Sequence, residues 1–332
     1  MPKKEEKKLT LAEELKQIEK DYGKGSVIGG TECESYTDVI STGSIELDAA
    51  LGIGGLPLGK IVEMIGWESC GKSTITLHII AEAQKKGYTC LLVDGENSFD
   101  ENYAISIGVD TEKLLIIQLD GQGGEKAYNI AERMIRTGEI QLVIIDSQNS
   151  LQPKKVMEGE VGDSAIGLHA RMLGQTVVKY NNAAKENDCL IIFISQLREK
   201  VGVMFGSPET TQGGNALKFY SHIRLNVSKT VLKEDKVAYA NETKVKVIKN
   251  KMAPPFKEAK FNIVYGLGID KTYEVIKLGD ELEILKKWGE KITYNELKYD
   301  LDEFKILLND NPELYQEIRN KILEKLKNEN KL

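Results

Sequence analysis

The sequence is poor in the residues that build metal and disulfide frameworks. Its four cysteines, Cys33, Cys70, Cys90 and Cys189, are scattered, with no C-x-x-C pair and no histidine nearby at ligand spacing. That excludes the usual zinc and disulfide patterns and fits a reducing cytoplasm. No apolar run approaches the ~18–20 residues that a membrane helix needs. The start, Met1-Pro-Lys-Lys-Glu-Glu-Lys-Lys, carries both signs of charge and leads into no apolar signal core, so a cytoplasmic location is expected. A broad basic field is missing too. The formal net charge is −6, so any nucleic-acid site has to be a local patch. No internal repeat or low-complexity segment is evident. What is present is an ordinary apolar fraction and 332 residues, room for one large domain plus small appendages.

One stretch organises the rest. Lys60–Gly87 reads KIVEMIGWESCGKSTITLHIIAEAQKKG. Ile61–Ile65 has strand character. Gly66, Trp67, Glu68, Ser69, Cys70, Gly71, Lys72 and Ser73 then fit G-x-x-x-x-G-K-[ST], the phosphate loop of nucleotide hydrolases. Thr74–Lys86 carries Ile75, Leu77, Ile79, Ile80 and Ala83 at helical spacing, and Gly87 sits where a helix C-cap glycine belongs. A strand, a glycine loop and a helix in that order set backbone N–H groups and a helix N-terminus around one anion. Lys72 would reach the β and γ phosphates of ATP, and the Ser73 hydroxyl would ligate Mg²⁺. The plain alternative, a chance glycine turn before an ordinary helix, does not account for these flanks.

Along the chain, Leu9–Tyr22 reads as an amphipathic helix with Leu11, Leu15 and Ile18 on one face. A lone helix of that length needs a partner surface, on its own domain or on a neighbouring subunit. Ser41–Leu58 is glycine-rich around a short helical piece. Tyr88–Asp94, Leu114–Leu119, Gln141–Ser147 and Cys189–Gln196 are aliphatic strands, alternating with helical patterns at Glu125–Thr137 and Ile166–Asn187. This is the pattern of a parallel sheet buried on both faces. His222–Lys229, Lys244–Lys249 and Ala259–Tyr265 alternate more and read as antiparallel strands at one edge of the same sheet. Beyond about Lys271 the sequence predicts short helices rich in Lys and Glu.

Asp146 ends an aliphatic strand, the position of an acidic residue that holds the Mg²⁺ water shell, although a strand-end Asp also commonly caps a turn. Glu96 follows another strand, where a carboxylate near the γ-phosphate can activate the attacking water. Arg198–Gly214 (REKVGVMFGSPETTQGG) mixes basic residues, glycines and Phe205 with no usable period, and a loop that long is usually functional or disordered. Met157–Ser164 (MEGEVGDS) is a shorter loop after the Asp146 strand. Both leave carboxyl ends of parallel strands, where open α/β folds place their sites. Arg171, Arg198, Lys200 and Lys218 could neutralise a phosphate backbone locally, though each alone reads as a solvated charge. Lys249-Asn250-Lys251 means little by spacing alone.

The segments QIEKDYGKGS, STGSIELDAALGIGGLPLGKIVE, GWESCGKST, MEGEVGDS, VGVMFGSPETTQGGNALKFY and KVKVIKNKMAPPFK together resemble the bacterial RecA family of recombinases, over nearly the whole chain. The resemblance implies an α/β, RecA-like P-loop NTPase core at 36–270, with a mostly parallel sheet and antiparallel edge strands. It also implies an N-terminal polymerisation segment at 1–35 and a small α-rich C-terminal domain at 271–332. It implies a DNA-dependent ATPase that uses ATP and Mg²⁺, with Gly66–Thr74 on the phosphates, Ser73 and Asp146 on the metal, and Asp100 and Tyr103 on the adenine. Glu96 would activate water beside Lys72, and Gln196 would sense the γ-phosphate. Lys249 and Lys251 would reach the neighbouring subunit's ATP. Lys218 and Phe219 match a subunit-interface region. The DNA loops would be Glu158, Gly159, Glu160, Val161, Gly162, Asp163 and Ser164, and Arg198 through Gly213. The second loop includes Lys200, Val201, Gly202, Met204, Phe205, Gly206, Thr210, Thr211 and Gly213, with Gly214 adjoining and Arg171 nearby. The implied partners are single-stranded DNA, homologous double-stranded DNA, further copies of the chain in a helical filament, a single-strand-binding protein and loader proteins, with no membrane.

The chain departs from the family's pattern at Trp67, where a proline-containing loop start is typical, and at Cys70, where a small hydroxyl residue is. Gly95-Glu96-Asn97 replaces an Ala-Glu-His pattern, Ser195 replaces Asn, and Gln148-Asn149-Ser150 replaces a small apolar run. A ring-forming helicase, a DNA-binding regulator switched by ATP and a small-molecule kinase are the rival readings. The first helix and the MFGSPETTQGG loop favour the recombinase. Cys70 precedes a helix N-terminus and lies beside Lys72, features that lower a thiol pKa, so one reading expects inactivation by alkylation with protection by bound nucleotide; the other takes Cys70 as only a small spacer.

Overall fold

The computed structural model describes residues 9–27, 38–118, 121, 123–160, 166–199 and 209–329. It divides into two compact units, Met1–Thr37 and Asp38–Leu332. The first holds the helix Leu11–Tyr22. A capping box starts it: Glu13 N–H donates to Thr10 Oγ1, and the Glu13 carboxylate accepts from Thr10 N–H at 2.8 Å. Gly23 ends it at φ 99°, and none of its residues is buried.

The second unit is built on a ten-stranded sheet among the described residues. Its order is Gly268–Ile269, Glu258–Val264, Val237–Asn250, Ile223–Glu234, Ile61–Gly66, Leu190–Glu199, Leu142–Asp146, Cys90–Asp94 and Leu115–Gln118. Six strands, from Ile223–Glu234 to Leu115–Gln118, run parallel. The other three on this path are antiparallel additions, and Glu209–Thr211 pairs antiparallel with the end of Leu190–Glu199. Ile61–Gly66 and Cys90–Asp94 are buried at every residue, as expected of strands covered on both faces. One apolar cluster, around Met64, Ile79, Leu92 and Ile192, fills one face. A second, around Val93, Ile145, Tyr180 and Phe193, fills the other. Two of the three edge strands expected after residue 222, Ile223–Glu234 and Val237–Asn250, are longer than the sequence suggests. The first of them is the changeover, parallel to Ile61–Gly66 on one side and antiparallel to Val237–Asn250 on the other.

After the helix Lys271–Glu281 comes a three-stranded antiparallel sheet of Lys286–Trp288, Lys291–Tyr294 and Leu297–Asp300, then the helices Leu301–Asp310 and Pro312–Asn328. The expectation of short helices omits this sheet. Its strands bury little beyond Ile292 and Tyr294, so the Lys-rich sequence hides their alternation. Glu274 fastens this region to the rest. Its buried carboxylate accepts from Ser44 Oγ at 2.5 Å, Ile45 N–H at 3.0 Å and Glu46 N–H at 2.9 Å. Ile45 itself packs into the apolar cluster of the C-terminal helices. No helix among the described residues is long and apolar enough to cross a membrane.

Candidate nucleotide-binding site

The glycines of the phosphate loop are required by contact and by conformation. A Cβ on Gly66 would stand 2.5 Å from the Val227 carbonyl oxygen and 2.7 Å from Cys70 Sγ. Gly71 caps the helix Lys72–Lys85 at φ 95°, in the left-handed region. Lys72 is only 6% exposed. Its ammonium folds back onto the loop, donating to the Gly66 carbonyl at 3.1 Å and the Trp67 carbonyl at 2.7 Å. A cavity of about 410 Å³ opens over this turn, with Ser69–Thr74 as its floor. Tyr103 forms one wall, and its hydroxyl lies 3.1 Å from Thr74 Oγ1. Asp100 does not line the cavity; it caps the helix that carries Tyr103, accepting from Tyr103 N–H at 3.0 Å. The opposite wall is Asn241, Ile263, Tyr265 and Gly266, none of which sequence reasoning found. They belong to no motif. Strand register brings them together, Asn241 opposite Ile263, and Tyr265 Oη donates to Asn241 Oδ1 at 2.9 Å.

The strand ends line up beside the loop. Gly66 is in register with Gln196, and Asp94 with Asp146. Burial pushes the Asp146 carboxyl up to about 6; a hydrogen bond with Ser73 opposes it, Glu96 and Asp94 add to it, and Lys72 opposes it. A hydroxyl and a carboxylate already in contact form an oxygen-only pair that suits Mg²⁺, which takes one or two side chains and completes its shell with water and phosphate. The described residues hold no group of three or more His, Cys, Asp or Glu placed to bind a metal. Asp94 is buried and shapes the following turn, accepting from Ser98 N–H and Phe99 N–H at 3.1 Å each. The turn presents Glu96. One oxygen of that carboxylate, Oε1, accepts from Ser147 Oγ at 2.7 Å, Ser150 Oγ at 3.1 Å and Gln196 Nε2 at 3.0 Å. Three donors on one oxygen fix the group's orientation, and Gln196 already touches it.

The family model of the RecA N-terminal domain matches residues 9–270. Protein RecA of Saccharopolyspora erythraea is 49% identical over 324 residues, covering 96% of this chain and 92% of that protein. Protein RecA of Bordetella petrii is 47% identical over 324 residues, covering 96% and 90%. Protein RecA of Bordetella pertussis is 47% identical over 325 residues, covering 96% and 91%. The chain belongs to the RecA family. It is an ATP-dependent recombinase of DNA recombination and repair, and a DNA-dependent ATPase.

The candidate DNA-loop residues leave the same edge of the sheet. Leu197 pairs with Thr211 and Arg198 with Thr210, so the two stems of the long loop form an antiparallel ladder continuous with the Gln196 strand. Arg198 is exposed at its end, and Gly213 and Gly214 close the loop at φ 96° and 77°. Lys200, Val201, Gly202, Met204, Phe205 and Gly206 lie outside the described residues, as do Val161, Gly162, Asp163 and Ser164. Glu158 ends the short helix Lys154–Glu158 and pairs with Lys154 at 3.3 Å; Gly159 and Glu160 follow it. Arg171 is exposed in the first turn of the helix Leu168–Glu186.

Lys249 and Lys251 do not line the nucleotide cavity of their own chain. Lys249 Nζ donates to the Lys218 and Phe219 carbonyls at 2.8 and 3.1 Å, at the end of the helix Ala216–Tyr220. Burial, then the neighbouring Lys251 and Arg224 charges, hold its ammonium below the ordinary lysine value. The expectation for Cys70 is reversed. Its thiol is 2% exposed, and desolvation outweighs the Lys72 charge and the backbone N–H groups, so its pKa is raised. The helix and the lysine are visible in the sequence; the lid that Gly66 and its neighbours make over the thiol is not.

Proposed function

We propose that this chain binds ATP·Mg²⁺ on Gly66–Thr74, with Ser73 and Asp146 toward the metal and Tyr103 and Asp100 toward the adenine. Bound Mg²⁺ supplies charge neutralisation at the β and γ phosphates. Lys72 turns from its own loop carbonyls to the phosphates. Glu96 takes a proton from the attacking water, and Gln196 exchanges its bond to Glu96 for one to the γ-phosphate. The observation that carries this reading is the contact between Gln196 and Glu96, on a strand whose end launches the Arg198–Gly214 loop. Nucleotide state and DNA loop then share one element, and ATP favours the DNA-binding state through differential affinity.

In this reading the loops at Glu158–Ser164 and Arg198–Gly214, with Arg171, hold single-stranded DNA, which is tested against homologous duplex by base pairing. Subunits assemble head to tail, a contact that does not close. The N-terminal segment, 1–35, docks on an adjacent core of 36–270, and Lys249 and Lys251 reach that neighbour's ATP. The region 271–332 is a small C-terminal domain. The location is the cytoplasm, with a single-strand-binding protein and loaders as further partners. A strand-invasion assay with ATP, a non-hydrolysable analogue and no nucleotide tests the reading. Invasion requiring either triphosphate, with turnover lost in Glu96→Gln, is the expected result. Closed rings that unwind DNA without invasion, or full turnover in Glu96→Gln, would overturn it.

A further inference from the structure

Behind Gln196 lies a buried group of amides that the reaction as described leaves unused. We propose that Asn149 is a positioning residue that links Gln196 to the foot of the long loop at Gln212, with Gln148 as its brace. The proposal rests on the reading of Glu96 and Gln196 given above and extends it to Asn149 and Gln148, to which that reading gives no part in holding nucleotide or DNA.

Asn149 is 5% exposed and Gln148 fully buried. Asn149 Oδ1 accepts from the Gln196 backbone N–H at 3.0 Å and from Gln148 Nε2 at 2.9 Å. Its Nδ2 faces the other way and donates to Gln212 Oε1 at 3.3 Å. Gln148 Nε2 also donates to the Gln212 carbonyl at 3.0 Å, and Gln148 N–H to the Ile194 carbonyl at 3.0 Å. Gln212 is therefore tied to the sensor strand twice, through the Leu197–Thr211 ladder beside it and through this amide bridge. The bridge belongs to the segment that also holds the catalytic carboxylate. Ser147 and Ser150 donate to Glu96, while Gln148 and Asn149, between them, hold Gln212.

Two features make this a joint rather than filler. The resemblance places a small apolar run where Gln148-Asn149-Ser150 stands, so the bridge is a device of this chain. The network is also incompletely satisfied. Gln148 Oε1 and His169 Nδ1 are buried and have no hydrogen-bond partner among the described residues, although His169 Nε2 lies 2.9 Å from the Gln148 carbonyl. Gln148 Oε1 faces Gly213, where a Cβ would stand 3.2 Å away. An open acceptor at low dielectric favours any rearrangement that supplies it a donor. When Gln196 leaves Glu96, the pull on Asn149 is passed to Gln212, and the amides have an alternative arrangement available.

The test measures the affinity of the full chain for a fluorescent oligo-dT with a non-hydrolysable ATP analogue and with ADP, and takes the ratio. Wild type, Asn149→Ala, Gln212→Leu and the double variant are compared, with thermal unfolding as the check on folding. The ratio is expected to fall about fivefold or more in each single variant, the lower end of ordinary site-to-site coupling. The double variant should fall no further than the worse single. The ratio removes any effect of Gln212 on DNA that is equal in the two nucleotide states, and Asn149→Ala together with the double variant separates the bridge from a contact made in one state alone. Gln212→Glu, which keeps an acceptor for Asn149 Nδ2, should restore it. An unchanged ratio in folded Asn149→Ala, or losses that multiply in the double variant, overturns the proposal. If Asn149→Ala does not fold, Gln212→Leu against Gln212→Glu decides alone, equal ratios overturning it. A wild-type chain whose DNA affinity ignores nucleotide, or an unaltered ratio in Gln196→Ala, instead refutes the underlying role of Gln196.

Discussion

His78 offers the sharpest test of how the phosphate-loop helix is fastened to the wall of the nucleotide cavity. It lies on Lys72–Lys85, almost completely buried, and its Nε2 accepts from the Ile269 backbone N–H at 2.8 Å. Ile269 follows closely on the Tyr265–Gly266 turn that walls the cavity. Accepting at Nε2 requires the neutral ring. Burial, then the charge of Lys271, pushes the imidazole down to about 3, with Glu82 opposing and Lys85 assisting. The folded value is below the unfolded value, about 6.5, so the unfolded chain binds more protons between those limits. Stability is therefore present above about pH 6.5 and is lost as pH falls toward 3. Within that window each pH unit is worth about 1.4 kcal/mol, so acidification from pH 7 to pH 5 costs about 2 kcal/mol through this residue. His222, pushed down to about 4 by burial and the nearby Lys60, adds a loss of the same sign, whereas Asp48, raised to about 7 by burial, opposes both. A difference measurement isolates His78. His78→Gln keeps an acceptor near the Nε2 position and cannot titrate. Urea unfolding at pH 7 and pH 5 should show the variant losing about 2 kcal/mol less than wild type. Equal losses in the two proteins would refute the assignment of a neutral, acid-labile His78.

Native Cys70 should react with a maleimide far more slowly than the unfolded chain, because its thiol is buried and its pKa raised; rapid labelling of folded protein that peptide mapping places on Cys70 would contradict this. Trp67 is 41% exposed at the start of the phosphate loop, and Trp288 is 83% exposed in the C-terminal sheet. Nucleotide should therefore change the tryptophan emission of wild type and of Trp288→Phe alike, but not that of Trp67→Phe. Gly66→Ala should destabilise by about 1–3 kcal/mol or more and abolish nucleotide binding, read by thermal unfolding and titration, because its Cβ would meet the Val227 carbonyl at 2.5 Å. Glu274→Ala should cost about 3 kcal/mol or more, since it strands two backbone N–H groups and the Ser44 hydroxyl, and Glu274→Gln should recover part of that loss.

Five of the six parallel strands were legible because each is a short aliphatic run, and runs of that kind belong to strands buried in a parallel sheet; the sixth, Ile223–Glu234, alternates and was expected to be antiparallel, and only its pairing with Ile61–Gly66 makes it parallel on that side. The phosphate loop was legible because its glycines answer local demands, a left-handed φ at Gly71 and a close approach at Gly66. What sequence reasoning missed arises from register between distant segments. Asn241 and Tyr265 reach the cavity only because Val237–Asn250 pairs with Glu258–Val264, and no local pattern announces that pairing. The Cys70 thiol was misjudged for a related reason. Charge and helix position can be read along the chain, whereas desolvation depends on atoms from Gly66 and its surroundings.

Register also explains why hydrolysis and DNA contact can be coupled within one chain. Gly66 and Gln196 are direct neighbours across two strands, as are Asp94 and Asp146. The four therefore lie at the carboxyl edge of one rigid sheet, where open α/β folds place their ligands. Beyond each end the chain turns outward into a different segment. The phosphate loop follows Gly66, the Glu96 turn follows Asp94, Ser147–Asn149 follows Asp146, and the long-loop stem follows Gln196. A buried sheet does not yield locally, so on the proposed reading a change at the γ-phosphate would be passed into the segments that leave it. The Gln196–Glu96 bond and the Asn149 bridge are two side-chain links that join the strand of Gln196 to those departures. In the function proposed above, the hydrolytic and DNA-facing sides of the molecule would therefore meet in a few hydrogen bonds, each open to a single conservative substitution.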